Sequence, residues 1–202
     1  MGLDITVLGL DWGELERTPT AERQDLLYEA ACPDDFDLYA QPRAGWVFPA
    51  SPKVPWCGRY EFHSTTGTYK PHFWAGDGWD TARKFADPVL RESLDGFLFH
   101  LIWEGDDPPE AVPESGLFPS DSTPWRPRLL LACPPPVVPV IAAHWARAEP
   151  LLEGLREEYD RHAARPGGWI ADFDAFTVLL REWAVVVDET AQRGWGLLGL
   201  PY

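Results

Sequence analysis

Asparagine is absent from the 202 residues, methionine occurs once, and there are three lysines against fourteen arginines. With abundant Ala, Gly, Pro and Arg, this is the codon bias of a GC-rich bacterial genome. It is an association about source and places no constraint on the fold. Basic residues are scarce as a class, 17 against 32 acidic, for a formal charge of −15. Counterion-driven nucleic-acid binding needs a basic surface, so nucleic acid is excluded as a partner, and anionic membranes are disfavoured for the same reason. Cys32, Cys57 and Cys133 are odd in number and far apart. They make neither a C-x-x-C unit nor a disulfide framework, and read as reduced, mostly buried thiols in cytosol. No apolar run approaches the ~20 residues of a membrane span. The start Met1–Val7 lacks a basic n-region, and Asp4 and Leu8 sit poorly in a myristoylation signal. A soluble, cytoplasmic protein is expected. The catalytic signatures are missing too: no G-x-S-x-G elbow, no phosphate-binding G-x-x-x-x-G-K-[ST] or G-x-G-x-x-G, no H-x-x-x-H and no H-x-H. No cofactor is expected.

What is present is a globular composition, 45% apolar, with eleven tryptophans and 21 prolines. The length suits a single domain, 1–202, with a subdivision into 1–104 and 125–202 about an acidic loop, 104–124. The tryptophans are spread from Trp12 to Trp195 and read as packing anchors. The acidic charge is concentrated. Residues 1–40 hold ten acids and two bases, and residues 104–121 hold six acids and no base, while the remainder is nearly balanced. This pattern serves solubility, or gives electrostatic complementarity to a basic protein partner.

Along the chain, Leu3–Leu10 alternates as a first strand, with Ile5 and Val7 on one face and Asp4 and Thr6 on the other. Thr20 then caps a helix carrying Leu26, Leu27 and Ala30. Residues 32–57 are irregular apart from a short strand near Gly45–Phe48. Arg59–His63 suits a further strand. Asp80 opens a short helix through Phe85, and Asp87–Pro88 opens a longer one to about Trp103. Residues 104–127 read as a surface loop. Arg128–Cys133 is a buried strand, Val137–Ala148 a helix, and Pro150 opens another to about Ala163. Asp172 caps the clearest helix, with Phe173, Phe176, Leu180, Trp183 and Val187 on one face and Glu182 on the other. Gly194 ends it in the left-handed position, and Trp195–Leu200 is the last strand. The expected fold is α+β: a small mixed sheet packed by several helices, with a helix-rich C-terminal half.

The segment Tyr69–Trp79 holds four aromatics, a Lys, a His and an Asp. Pro71, Gly76 and Gly78 argue for an irregular loop there, the kind of segment on which binding sites sit. Lys70 offers an anion contact and His72 an acid, base or ligand. Trp74 and Trp79 offer stacking faces, and Asp77 can accept hydrogen bonds or orient His72. The competing reading is a loop pinned to the core by Phe73 and Trp74. A metal site would draw on His63, His72 and Asp77 or Asp80, at a spacing that matches no motif. A nucleophile would be Cys57, Ser64, Thr65 or Thr66 near His63 and His72, with no elbow to support it. His100 and His144 read as histidines at the edge of the core.

The C-terminal third has a strand ending near Cys133, a Pro-rich entry into a helix and an acidic helix with Leu155 and Tyr159. It closes on Ala191-Gln-Arg-Gly-Trp-Gly-Leu-Leu-Gly-Leu. Over residues 125–200 this resembles the YfbM-like family of uncharacterised bacterial proteins. The Met-Gly-Leu-Asp-Ile start and the Lys-Pro-His-Phe-Trp-Ala-Gly segment look more like actinobacterial proteins. The resemblance implies a cytoplasmic α+β protein and carries over no catalytic residue. The residues favour a non-enzymatic binding protein with an acidic surface over a small-molecule enzyme or sensor built around Tyr69–Trp79. They do not specify an oligomeric state.

Overall fold

A computed structural model describes residues 5–32, 44–63, 68–103, 105 and 111–201. Strand β1, Ile5–Leu10, is the centre of the molecule. It pairs on one side with β3, Cys57–Glu61, and on the other with β5, Gly196–Pro201. Strands β2, Gly45–Val47, and β4, Leu131–Cys133, form the edges, giving the order β2-β3-β1-β5-β4. A mixed sheet was the expectation, but every pairing among the described residues is antiparallel. The fold is α+β, and strands from both ends of the chain share the one sheet.

The register sorts side chains into two cores. Val7 lies opposite Tyr60 and Gly199, and Leu8 opposite Arg59 and Leu198. Ile5, Val7, Tyr60, Leu131, Cys133 and Leu197 belong to one core, while Leu8, Leu10, Cys57, Leu198 and Leu200 belong to the other. Alternation in β1 predicts one polar face, yet the strand is covered on both sides. Apolar residues on both faces are what a sheet between two layers demands.

The larger layer contains α3 (Lys70–Ala82), α4 (Pro88–Leu98), α5 (Val138–Ala148), α6 (Arg156–His162) and α7 (Phe173–Arg193). Helix α7 follows its sequence closely. Asp172 accepts from Ala175 N–H at 2.8 Å, and Gly194 closes the helix at φ +66°. Phe176, Leu180, Trp183 and Val187 are fully buried. Glu182, expected on the polar face, is buried as well, because its carboxylate accepts from the His63 backbone N–H at 2.5 Å. Asp87 caps α4 through Val89 and Leu90, as expected, but the helix stops at Leu98 and a further turn leads to Trp103. The helix expected from Pro150 begins as a 3₁₀ segment, Glu149–Leu155, before α6. The short helix expected from Asp80 through Phe85 is instead the end of α3 followed by a single 3₁₀ turn, Arg83–Phe85.

The smaller layer contains α1 (Trp12–Arg17), α2 (Thr20–Ala31) and the segment around Phe118 and Trp125. Helix α1 is an addition to the expected elements. Its signal is Asp11 followed by Glu14: Asp11 Oδ1 accepts from Gly13 and Glu14 N–H. Thr20 is the first helical residue of α2 rather than its cap, a place that Pro19 takes. The 111–124 part of the expected surface loop sends Phe118 into the core, and Arg23 locks it there. The Arg23 guanidinium pairs with both oxygens of Asp121 at 2.6 and 2.8 Å and lies over the rings of Phe118 and Trp125. Two further N–H groups donate to the carbonyls of Glu16 and Thr18. A buried charge needs this degree of satisfaction. Among the described residues no helix is long and apolar enough to cross a membrane.

Candidate functional site

Tyr69–Trp79 is not an irregular loop; residues 70 to 82 form α3. Pro71 falls in the first turn, where its missing N–H leaves no intrahelical bond unmade. Gly76 and Gly78 serve close packing. A Cβ on Gly76 would sit 2.4 Å from the Ile102 carbonyl oxygen, and one on Gly78 would sit 2.5 Å from the Tyr159 hydroxyl. The helix therefore lies directly against two neighbours, and that contact outweighs a propensity cost of about 1 kcal/mol per glycine.

Helical periodicity divides the five candidate residues into two groups on opposite faces. His72 and Trp79 point inward and are wholly buried. His72 Nδ1 accepts from Trp183 Nε1–H at 3.1 Å, which puts the proton on Nε2. That Nε2 has no hydrogen-bond partner among the described residues. The ring meets the edges of Phe62 and Trp183 and stacks on Tyr69. Burial among aromatics pushes its pKa down to about 3, so the imidazole is neutral and enclosed. Trp79 Nε1 donates to Asp95 Oδ1 at 3.0 Å, and the same carboxylate takes a forked pair of bonds from Arg83 at 3.1 and 2.6 Å. Both inward residues are core fixtures.

Lys70, Trp74 and Asp77 lie on the outward face. Lys70 is exposed, with its ammonium 5.8 Å from the Trp169 ring centre. Trp74 is half-buried beneath the Arg165 guanidinium, 5.2 Å away, and Arg165 pairs with Asp77 at 2.5 Å. A row of charges and rings thus runs along α3 and the turn that carries Arg165 and Trp169. Beside it lies a cleft of about 220 Å³, bounded by Tyr69, Phe73, Asp77, Asp80 and Trp103. Of the five candidates only Asp77 lines it. In the sequence Asp80 reads as a helix cap or a metal ligand and Trp103 as a helix end, because a helix must first be assumed before Asp77 and Asp80 become neighbours one turn apart. A second, more apolar groove of about 420 Å³ adjoins it through Tyr69, Ile102 and Trp103, and reaches His100 and Val137. His100 is exposed at the groove, with its pKa lowered by desolvation and secondly by His144.

The other chemistries find different surroundings. His63 Nδ1 meets Glu182 Oε1 at 3.2 Å with its ring largely in solvent, while His72 is sealed in the core. Among the described residues no three His, Cys, Asp or Glu side chains gather as a metal site would require. Cys57 is buried, and desolvation pushes its thiol far up from the ordinary value, so it does not offer the accessible thiolate that a nucleophile needs. Ser64, Thr65 and Thr66 lie outside the described residues. The resemblance to the YfbM-like family rests on the residues quoted above alone. No family model matches the chain, and neither does any curated protein or solved structure.

Proposed function

We propose that this chain is a cytoplasmic, non-enzymatic binding protein whose acidic layer docks a basic protein partner. One observation carries the reading: the topology gathers parts of both acidic stretches of the sequence into one layer over one face of the sheet. Helices α1 and α2 come from the first stretch, and the Phe118–Asp121 segment comes from the second. Arg23–Asp121 and Ser120–Glu16 contacts bind them together. Glu22 and Asp25 stand exposed on α2 with no ion-pair partner among the described residues. Charges of this kind steer association and select the sign of the partner. A pull-down from lysate at ~50 mM and ~500 mM salt tests it, since screening is severe at the higher value. A basic protein should be captured at low salt and released at high salt, and Glu22→Lys with Asp25→Lys should weaken capture about tenfold. Recovery of only an acidic partner, or capture indifferent to salt and to the charge reversal, overturns the proposal. The second reading, a small-molecule protein with a pocket at Tyr69–Trp79, is favoured by the cleft beside Asp77.

A further inference from the structure

We propose that the cleft between α3 and Trp103 is a binding site for a small organic ammonium ion. Its walls combine two features that suit such an ion. The first is aromatic: Tyr69, Phe73 and Trp103 bound the space. Phe73 is 57% exposed, the highest value of any large apolar side chain described, and has no aromatic or cationic partner among the described residues. An exposed ring facing a cavity leaves its negative π-face unused, and a cation over that face recovers about 0.5–2 kcal/mol. The second feature is charge. Asp77 and Asp80 project one turn apart into the same space. Asp77 is already paired with Arg165. Asp80 is exposed, takes only a long bond from Trp103 Nε1–H at 3.4 Å, and has no cationic partner among the described residues. One carboxylate is thus left without a counter-charge beside an unpartnered ring.

Other ligands fit less well. Anions are repelled by both carboxylates. A neutral apolar ligand would desolvate them without compensation. At about 220 Å³ the cleft is below the ~300–1,000 Å³ of sites for drug-sized ligands, so it holds a head group rather than a nucleotide. The surrounding surface shows the same chemistry filled from within: Arg165 lies over Trp74, Lys70 near Trp169, and Arg83 over Trp103. Phe73 with Asp80 is the place where that pattern is left open. Gly76 and Ile102, whose backbones approach closely, also line the cleft, so part of its wall is set by the fold rather than by side-chain rotamers. This site does not depend on the acidic layer, and its failure would leave the reading of that layer untouched.

The test is titration of the whole chain with choline and with n-butylammonium, following the indole N–H resonance of Trp103 by NMR, assigned from Trp103→Phe. The controls are the uncharged isosteres 3,3-dimethylbutan-1-ol and 1-butanol. At least one cation should shift that resonance saturably while its isostere does not. Asp80→Asn and Phe73→Ala should each weaken binding about three- to tenfold, as loss of ~0.7–1.4 kcal/mol requires. Both side chains are exposed, so the variants should keep the wild-type melting temperature. Absence of saturation with both cations up to ~50 mM, a range that reaches well past the millimolar affinities of such small ions, overturns the proposal. Equal binding of the isosteres, or unchanged affinity in both variants, also overturns it.

Discussion

His72 shows how a residue type associated with catalysis becomes a stability element once its surroundings are known. Its ring is enclosed by Phe62, Tyr69 and Trp183, and the hydrogen bond it accepts from Trp183 uses the neutral form. Desolvation lowers its pKa from 6.5 to about 3 in the folded chain. Between those values the unfolded chain binds a proton that the folded chain refuses, so stability rises with pH across that window and is lost as pH falls through it. The whole shift is worth at most about 5 kcal/mol, a large share of the stability of an ordinary domain. Urea midpoints measured from pH 4 to 7 should therefore fall toward acid in the wild type. In His72→Phe that component of the slope should vanish. The variant should start lower at neutral pH by about 1–3 kcal/mol, because the Trp183 N–H loses its buried acceptor. Parallel pH curves for the two proteins would show that His72 is not the group responsible.

At the scale of the element, α3 is where local preference and tertiary packing oppose each other. Two glycines and a proline argue against a helix, and the helix exists because its glycines admit Ile102 and Tyr159. Gly76→Ala should then destabilise by about 1–3 kcal/mol, even though Ala is the better helix former. Gly154 has nothing within 4 Å of an added Cβ and no unusual φ, so Gly154→Ala should be neutral or stabilising by up to about 1 kcal/mol. Thermal melts of the pair check the opposite signs, and equal effects would remove close approach as the reason for Gly76. The same conflict explains what could be read in advance. Elements with local signals were legible: β1 from its β-branched run, α4 from Asp87–Pro88, and α7 from Asp172, its apolar stripe and Gly194. Helix α3 was illegible because its cause lies in residues far away in sequence. The candidate site suffered in consequence. Lys70, His72, Trp74, Asp77 and Trp79 look like one cluster in a loop, but a period of 3.6 residues sends His72 and Trp79 to the opposite side from the rest. Asp77 alone reaches the cleft, and its companions there, Asp80 and Trp103, become neighbours only through the fold.

For the whole molecule, the decisive fact is that β1 lies between β3 and β5. A division at the acidic loop looks natural in composition, yet it would cut through one sheet and both layers. Residues 1–110 alone would expose the side of β1 that pairs with β5, together with Val7 and Leu8, which pack on both faces. Residues 111–202 alone would hold β4 and β5 as an isolated two-stranded unit with α7 uncovered, and two strands are marginal without further pairing. An unpaired apolar edge also invites aggregation. The two fragments, made separately, should lack a cooperative thermal transition and should bind a hydrophobic dye. Mixed or co-expressed, they should regain a single transition, because the contacts between β1 and β5 and the Arg23–Asp121 lock both join one fragment to the other. A cooperative melt from either fragment alone would show two independent folding units. The acidic layer is subject to the same test, since it too is assembled from both fragments: salt-sensitive capture of a basic partner should return only with the reassembled chain.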